Sequence, residues 1–410
     1  MPPETTPADL LSAAAVRTRA HAMLDLALAG KLDHFTVDLE RLPAAADTVL
    51  AVMRENYPDL DVPFHARWRH FEAGGVDRWD MICAARGFET LEEGARAAFD
   101  LAIVSVLLDA GAGPDWSYEE SATGMTFARS EGLAVASVAM FVSGVFSSVP
   151  ADPFRADAAA LAALSVAEVA AGFQVSSENP MVGLEGRAGL LNRLGQVVGA
   201  DPDVFAREDD PRPGGLFDHL KAQAVDGVLP APDILKAVLT SLGPIWPGRI
   251  AVDGVDLGDC WRHPALVTGD ATTGLVPFHK LSQWLSYSLI EPLEWAGITV
   301  TDVDGLTGLA EYRNGGLFLD TGVLRLKDPA EAAVPQSVES ALVVEWRALT
   351  VALLDRTAEL IRDKLGETPE SLPLAKVLEG GTWAAGRKIA KETREGGGPP
   401  ITVISDGTVF

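Results

Sequence analysis

Residues 276–320, VPFHKLSQWLSYSLIEPLEWAGITVTDVDGLTGLAEYRNGGLFLD, decide how this chain is read. The first half repeats apolar residues at helical spacing and sets His279, Lys280, Gln283 and Glu291 at the polar or half-buried positions. A glycine-rich loop then presents Glu311, Arg313, Asn314 and Asp320. Acids, bases and amides at this density, among Trp284, Tyr287 and Trp295, cost too much to bury without a use. The stretch reads as the wall of a small-molecule pocket built on helices.

The same helical period recurs outward from it, over 7–29, 44–56, 91–112, 132–148, 187–199, 215–225, 232–242 and 338–365. Ser165 and Glu168 form a capping box ahead of a further apolar run. Strand signals are few: 298–303 and 401–410 are β-branched and bounded by Gly or Pro, and 316–326 is ambiguous. These patterns predict a mainly α, single-pocket fold with a few short strands. It forms one mostly helical domain over 1–410, or two lobes, 1–200 and 216–410, joined at the acidic, Pro/Gly-rich 201–215.

The chain has 410 residues and 48% hydrophobic content, enough for a large core. Lys and Arg total 33 against 58 Asp and Glu, a net charge of −25. A field of that sign repels nucleic acid and anionic membranes, and no basic run reverses it. Any phosphate on a substrate must be met by a few placed Arg or Lys residues. The two cysteines, Cys83 and Cys260, rule out a disulfide framework and a cysteine zinc cluster. The N-terminus shows no basic region or apolar signal core, so the expected compartment is the cytoplasm. Residues 132–151 carry no formal charge and approach a membrane span in length, but their Ser, Ala and Gly content predicts a buried soluble helix.

The longest irregular run, 244–280, lies directly before the opening motif and supplies Asp253, Asp256, Asp259, Trp261, Arg262, His263 and Asp270. An apolar loop of this length in a compact domain points to function. No metal-ligand spacing accompanies His263 and His279, and no dinucleotide or nucleotide-binding glycine motif is present, so no metal and no cofactor is expected. At the mouth of the charge-free helix, Arg129, Ser130 and Glu131 offer either an anion site or a plain helix cap. The apolar C-terminus, with Trp383 and Arg387 upstream, is expected to dock into the fold, and Asp406-Gly407 is a turn signal.

Taken together, RSEGLAVASVAMF, NPMVGLEGRAGLL, GDCWRHP, VPFHKLSQWLSYSLIEP, LTGLAEYRNGGLFLD and GGTWAAGR…GGGPPITVISDGTVF resemble the uracil-catabolism protein family of fungi and bacteria, long catalogued as a domain of unknown function. The resemblance covers nearly the whole chain. It implies a role in the route that degrades uracil through ribosylurea, with release of urea from ribosylurea or its phosphate as the step to be filled. The motif order is also similar to that of the queuosine-nucleotide glycosidases, helical proteins related to helix-hairpin-helix glycosylases. Gln283 matches a glutamine of their central helix, Glu311 and Arg313 match their Glu-x-Arg pair, and 258–264 falls where their phosphate-associated loop lies. Where those enzymes have an aspartate, this chain has Pro277-Phe278.

Breaking an N-ribosidic bond builds positive charge on the sugar, which a carboxylate stabilises. The candidates are Glu311, Asp270 and Asp259, in that order, with His279 as acid or substrate clamp. Lys280, Arg262 and Arg313 suit a 5′-phosphate. Gln283 and Asn314 suit a urea group, and His263 and Trp261 complete the contact set. The expected partner is a small ribosyl substrate, phosphorylated, with a homo-oligomer left open. The alternative is a non-catalytic pyrimidine-nucleotide-binding or partner protein of the same route.

Overall fold

The computed structural model describes residues 5–206, 211–246 and 250–404. The architecture is mainly helical, and among the described residues the strands form only two-stranded ladders. The chain divides into two compact units, neither contiguous in sequence: Met1–His65, Gly248–Gln283 and Asp302–Phe410 form the first, Ala66–Pro247 and Trp284–Thr301 the second. The 201–215 stretch lies inside the second unit.

In the first unit, helix Ala13–Leu28 starts at Ser12, whose hydroxyl accepts from the Ala15 N–H. It buries Val16, Ala20, Met23, Leu24 and Ala27, a 3.6-residue stripe. That stripe packs on the longest helix, Ala341–Leu365, which opens at the Ser340 cap and stops at Gly366, in the left-handed region at φ 72°. Helix Leu42–Asn56 covers the same helix. Two antiparallel ladders complete this layer: Phe35–Val37 with Leu324–Leu326, and Cys260–Arg262 with Leu275–Pro277. The ambiguous 316–326 segment resolves as the end of helix Tyr312–Asp320 followed by a strand. Gly315 permits this helix to approach the long one: a Cβ there would meet Trp346 Nε1 at 2.6 Å and Thr350 Oγ1 at 2.8 Å. At the C-terminal end Val403–Ile404 is a strand, parallel to Gln336–Ser337, and 405–410, with Asp406-Gly407, lies outside the described residues.

In the second unit, the charge-free segment forms helix Arg129–Ser143 and packs on Leu91–Leu107, both almost entirely buried along their apolar residues. Among the described residues no helix is long and apolar enough to cross a membrane. The capping box at Ser165 and Glu168 is present ahead of Val166–Gly172.

Helix Lys280–Trp295 runs through Pro292. Proline has no N–H, so the Ser288 carbonyl loses its helical donor. The indole N–H of Trp68 replaces it at 2.7 Å. The Ser288 hydroxyl accepts from the Arg67 N–H at 2.9 Å and donates to the Trp284 carbonyl at 2.9 Å. The Arg67 side chain is wholly buried, donating Nε to Ser105 at 2.8 Å and pairing with Asp109 at 3.1 Å.

Candidate functional site

The site is assembled in the first unit at the open end of the Cys260–Arg262/Leu275–Pro277 hairpin. The ladder pairs Cys260 with Pro277, which brings Asp259, just before one strand, beside Phe278 and His279, just after the other. The Asp259 carbonyl accepts from the N–H groups of Phe278 at 2.9 Å and His279 at 3.3 Å. Its carboxylate then takes the Lys280 N–H at 3.0 Å, holding the head of helix Lys280–Trp295 where donors lack helical partners.

Arg347 closes this arrangement from the long helix. Its two terminal nitrogens each lie 2.8 Å from an Asp259 oxygen, a bidentate fork, and its guanidinium covers the Phe278 ring at 4.2 Å. The Trp261 indole donates to the same carboxylate at 2.7 Å. Burial opposes the charge on Asp259, but Arg347 and these donors outweigh it and hold the group at a pKa of about 2. Asp259 is therefore an ionised, fully engaged anchor. Arg347 also reaches the Ala310 carbonyl at 3.4 Å, which connects the hairpin to the loop carrying Glu311.

Glu311 is the N-cap of helix Tyr312–Asp320, its two oxygens accepting from Asn314 N at 2.7 Å and Arg313 N at 3.0 Å. It is 8% exposed, and among the described residues no cation pairs with it. Asn314 donates its amide to the Leu309 carbonyl at 3.2 Å, and its Oδ1 is buried without a partner. Gln283 grips the same loop, accepting from Thr307 N at 2.9 Å and donating to the Thr307 hydroxyl.

His279 is buried with φ 48°, a left-handed conformation costly for a non-glycine residue. Its Nε2 lies 2.9 Å from the Leu10 carbonyl, so Nε2 carries the proton. Nδ1 is then a lone pair with no donor among the described residues, and burial keeps the ring's pKa below its ordinary value. Such a ring accepts a hydrogen bond from a ligand rather than donating a proton to it.

The remaining predicted residues are distributed differently. His263 accepts from Ala265 N at Nδ1 and meets Glu345 through Nε2 at 3.2 Å, both side chains buried. Asp270 closes a turn, accepting from Thr268 and from the N–H and hydroxyl of Thr272 at 2.5–2.9 Å, which lower its pKa. Arg262 is exposed on its strand. The Arg313 guanidinium lies 5.0 Å over the Trp383 ring. Arg129 and Glu131 belong to the second unit, where the Ser130 hydroxyl lies 3.2 Å from Asp109, an acid.

Sequence reasoning missed Glu345 and Arg347. Glu345 is buried and accepts from the N–H groups of Asp33, His34 and Phe35 at 3.1–3.2 Å as well as from His263. The available signal was ALVVEWRALTVALL, a helical run with two charges and no polar face for them to occupy.

These features define a mainly helical protein whose two neighbouring helix heads, at Lys280 and Tyr312, are each held by a carboxylate and joined through one buried arginine. The chain belongs to the family described as "Protein of unknown function (DUF1688)", whose model matches residues 9–410. It is 41% identical over 414 residues to Protein urg3 of Schizosaccharomyces pombe, covering 99% of each chain. It is 38% identical over 414 residues to Uracil catabolism protein 4 of Lachancea kluyveri, covering 93% of each.

Proposed function

We propose that the protein acts in uracil catabolism and hydrolyses an N-ribosidic bond, releasing urea from ribosylurea or its 5′-phosphate. The name of the Lachancea relative supports the pathway. The state of Glu311 carries the reaction. Of the three candidate carboxylates, Asp259 is neutralised by Arg347 and Asp270 is engaged by hydroxyls in a turn. Glu311 is fixed by backbone N–H groups alone, with no counter-cation among the described residues. A fixed, unneutralised carboxylate is what an oxocarbenium-like state requires.

In this reading water adds to the anomeric carbon, the C–N bond breaks, and urea leaves with a proton while ribose or its phosphate remains. Asn314 Oδ1 and His279 Nδ1, both lone pairs without donors, suit the N–H groups of a urea. The test is release of urea by the purified protein from ribosylurea and from its 5′-phosphate. Glu311→Gln, which keeps shape and one acceptor, should lower the rate by roughly 100-fold or more with the fold intact.

The capping bonds of Glu311 favour a second reading, a binding protein in which this side chain only shapes the loop. Absence of urea from both substrates, with ligand binding retained by wild type and Glu311→Gln alike, would support that alternative.

A further inference from the structure

Helix Trp383–Thr393 follows a π-helical turn, Leu378–Thr382. A π turn inserts an extra residue and re-aims the face that follows it. Here that face carries Trp383, Gly386 and Arg387 at the i, i+3, i+4 positions. Gly386 and Arg387 of that face line a shallow cleft, partly open to solvent, whose other wall is the first turn of helix Tyr312–Asp320. Arg313, Arg387 and Arg394 stand around this cleft, with Gly316, Gly386 and Gly398 among its lining, and among the described residues no acid lines it. In a chain with 58 acids against 33 bases, guanidiniums gathered at one opening oppose the global field.

The three arginines are held differently. Arg394 forms a bidentate pair with Asp320 at 2.6 and 2.7 Å and donates Nε to the Gly398 carbonyl at 2.7 Å, so its role is to fix the glycine turn. The Arg313 guanidinium lies 5.0 Å over the Trp383 ring and donates to the Tyr312 hydroxyl at 2.9 Å, and among the described residues no carboxylate meets it. Arg387 lies 5.3 Å over the same Trp383 ring. One indole thus orients two planar forks at one cleft. The glycines let its walls approach closely: a Cβ at Gly386 would collide with the Arg313 carbonyl, and one at Gly316 would press on Pro400 at 3.2 Å.

We propose that this cleft binds a phosphate monoester, with Arg313 and Arg387 as the anion fork. Joined to the function proposed above, on which this extension rests, the cleft takes the 5′-phosphate and makes the phosphorylated ribosylurea the preferred substrate. Two forks match the tetrahedral oxygens of phosphate better than a single ammonium would.

The test is calorimetric titration of the full chain with ribose 5-phosphate, inorganic phosphate and ribose. Ribose 5-phosphate should bind and ribose should not. Arg387→Gln, and Arg313→Lys, which keeps the charge but loses the fork, should each raise the Kd for ribose 5-phosphate by roughly tenfold or more, with melting curves reporting that both variants are folded. Inorganic phosphate that binds and is weakened in step identifies a general phosphate site; binding of the sugar phosphate alone identifies a ribosyl phosphate site. Either supports the assignment. No binding of either anion, or wild-type affinity in both variants, overturns it. Urea release without phosphate binding would sink the cleft and spare the ribosidase; phosphate binding without urea release would do the reverse.

Discussion

Asp259 and Glu311 show how two carboxylates with similar local duties acquire different chemistry. Each holds the head of a helix, but only Asp259 is matched by a guanidinium. Removing one partner of a buried pair leaves the other charge stranded, which costs about 3–5 kcal/mol. Asp259→Ala should therefore lower the stability measured by urea or guanidinium unfolding by that amount, whereas Asp270→Ala, in its exposed turn, should change it far less. The folded Asp259 carboxyl, held at about 2, binds its proton more weakly than the unfolded chain does. Its stabilising contribution is present above the ordinary carboxylate range and is lost as pH falls from about 4 toward 2. Wild type should lose stability over that window, and the Asp259→Ala variant should show a shallower loss. His279, Gln283, Glu311 and Asn314 stood out in the sequence because polar residues crowd an apolar stretch there. Arg347 did not, because its partner lies 88 residues away and nothing local announces the pair.

Helices were legible because their period is local, and the structure follows it from Ala13–Leu28 to Ala341–Leu365. Of the strands, 298–303 and 401–410 were legible and hold Thr299–Thr301 and Val403–Ile404, but ladders such as Cys260–Arg262 with Leu275–Pro277 were not, because such short strands are created by their partners and leave no alternation of their own. Pro292 is the instructive element: it would ordinarily end a helix, yet Lys280–Trp295 continues because Trp68 supplies the missing donor. Trp68→Phe should cost about 1–3 kcal/mol from the unmet Ser288 carbonyl, beyond the change in ring packing. Pro292→Ala restores a helical N–H to that carbonyl, so Trp68→Phe should cost less in its background; equal costs in a double-mutant cycle would refute the account. On the same helix, burial raises Glu291 to about 7, against Arg69 at 2.7 Å. The folded state keeps this proton up to about pH 7 while the unfolded chain releases it near its ordinary value of 4.5, so stability falls as pH rises through that window. Glu291→Gln should flatten this part of the stability–pH curve.

At the scale of the molecule, the two units interleave along the chain, and no cut near 201–215 separates them. A fragment ending at residue 200 lacks Trp284–Thr301 of one unit and both later segments of the other. Neither 1–200 nor 216–410 should show a cooperative thermal transition by circular dichroism, although the sequence alone, with its acidic Pro/Gly-rich stretch, suggested a joint there. Sequence patterns mark local breaks in hydrophobic periodicity; they carry no record of which segments return to which core.

The three N–H groups of residues 33–35 that Glu345 accepts lie up to 312 residues from it in sequence. The Val16, Met23 and Leu24 stripe waits equally long for the long helix that covers it. On a translating ribosome adding about 5–20 residues per second, that separation is roughly 15–60 s. Through that interval the nascent N-terminus lacks the long helix against which most of this face packs. Slower elongation up to residue 345 should lengthen the interval in which that face is open to holdase chaperones.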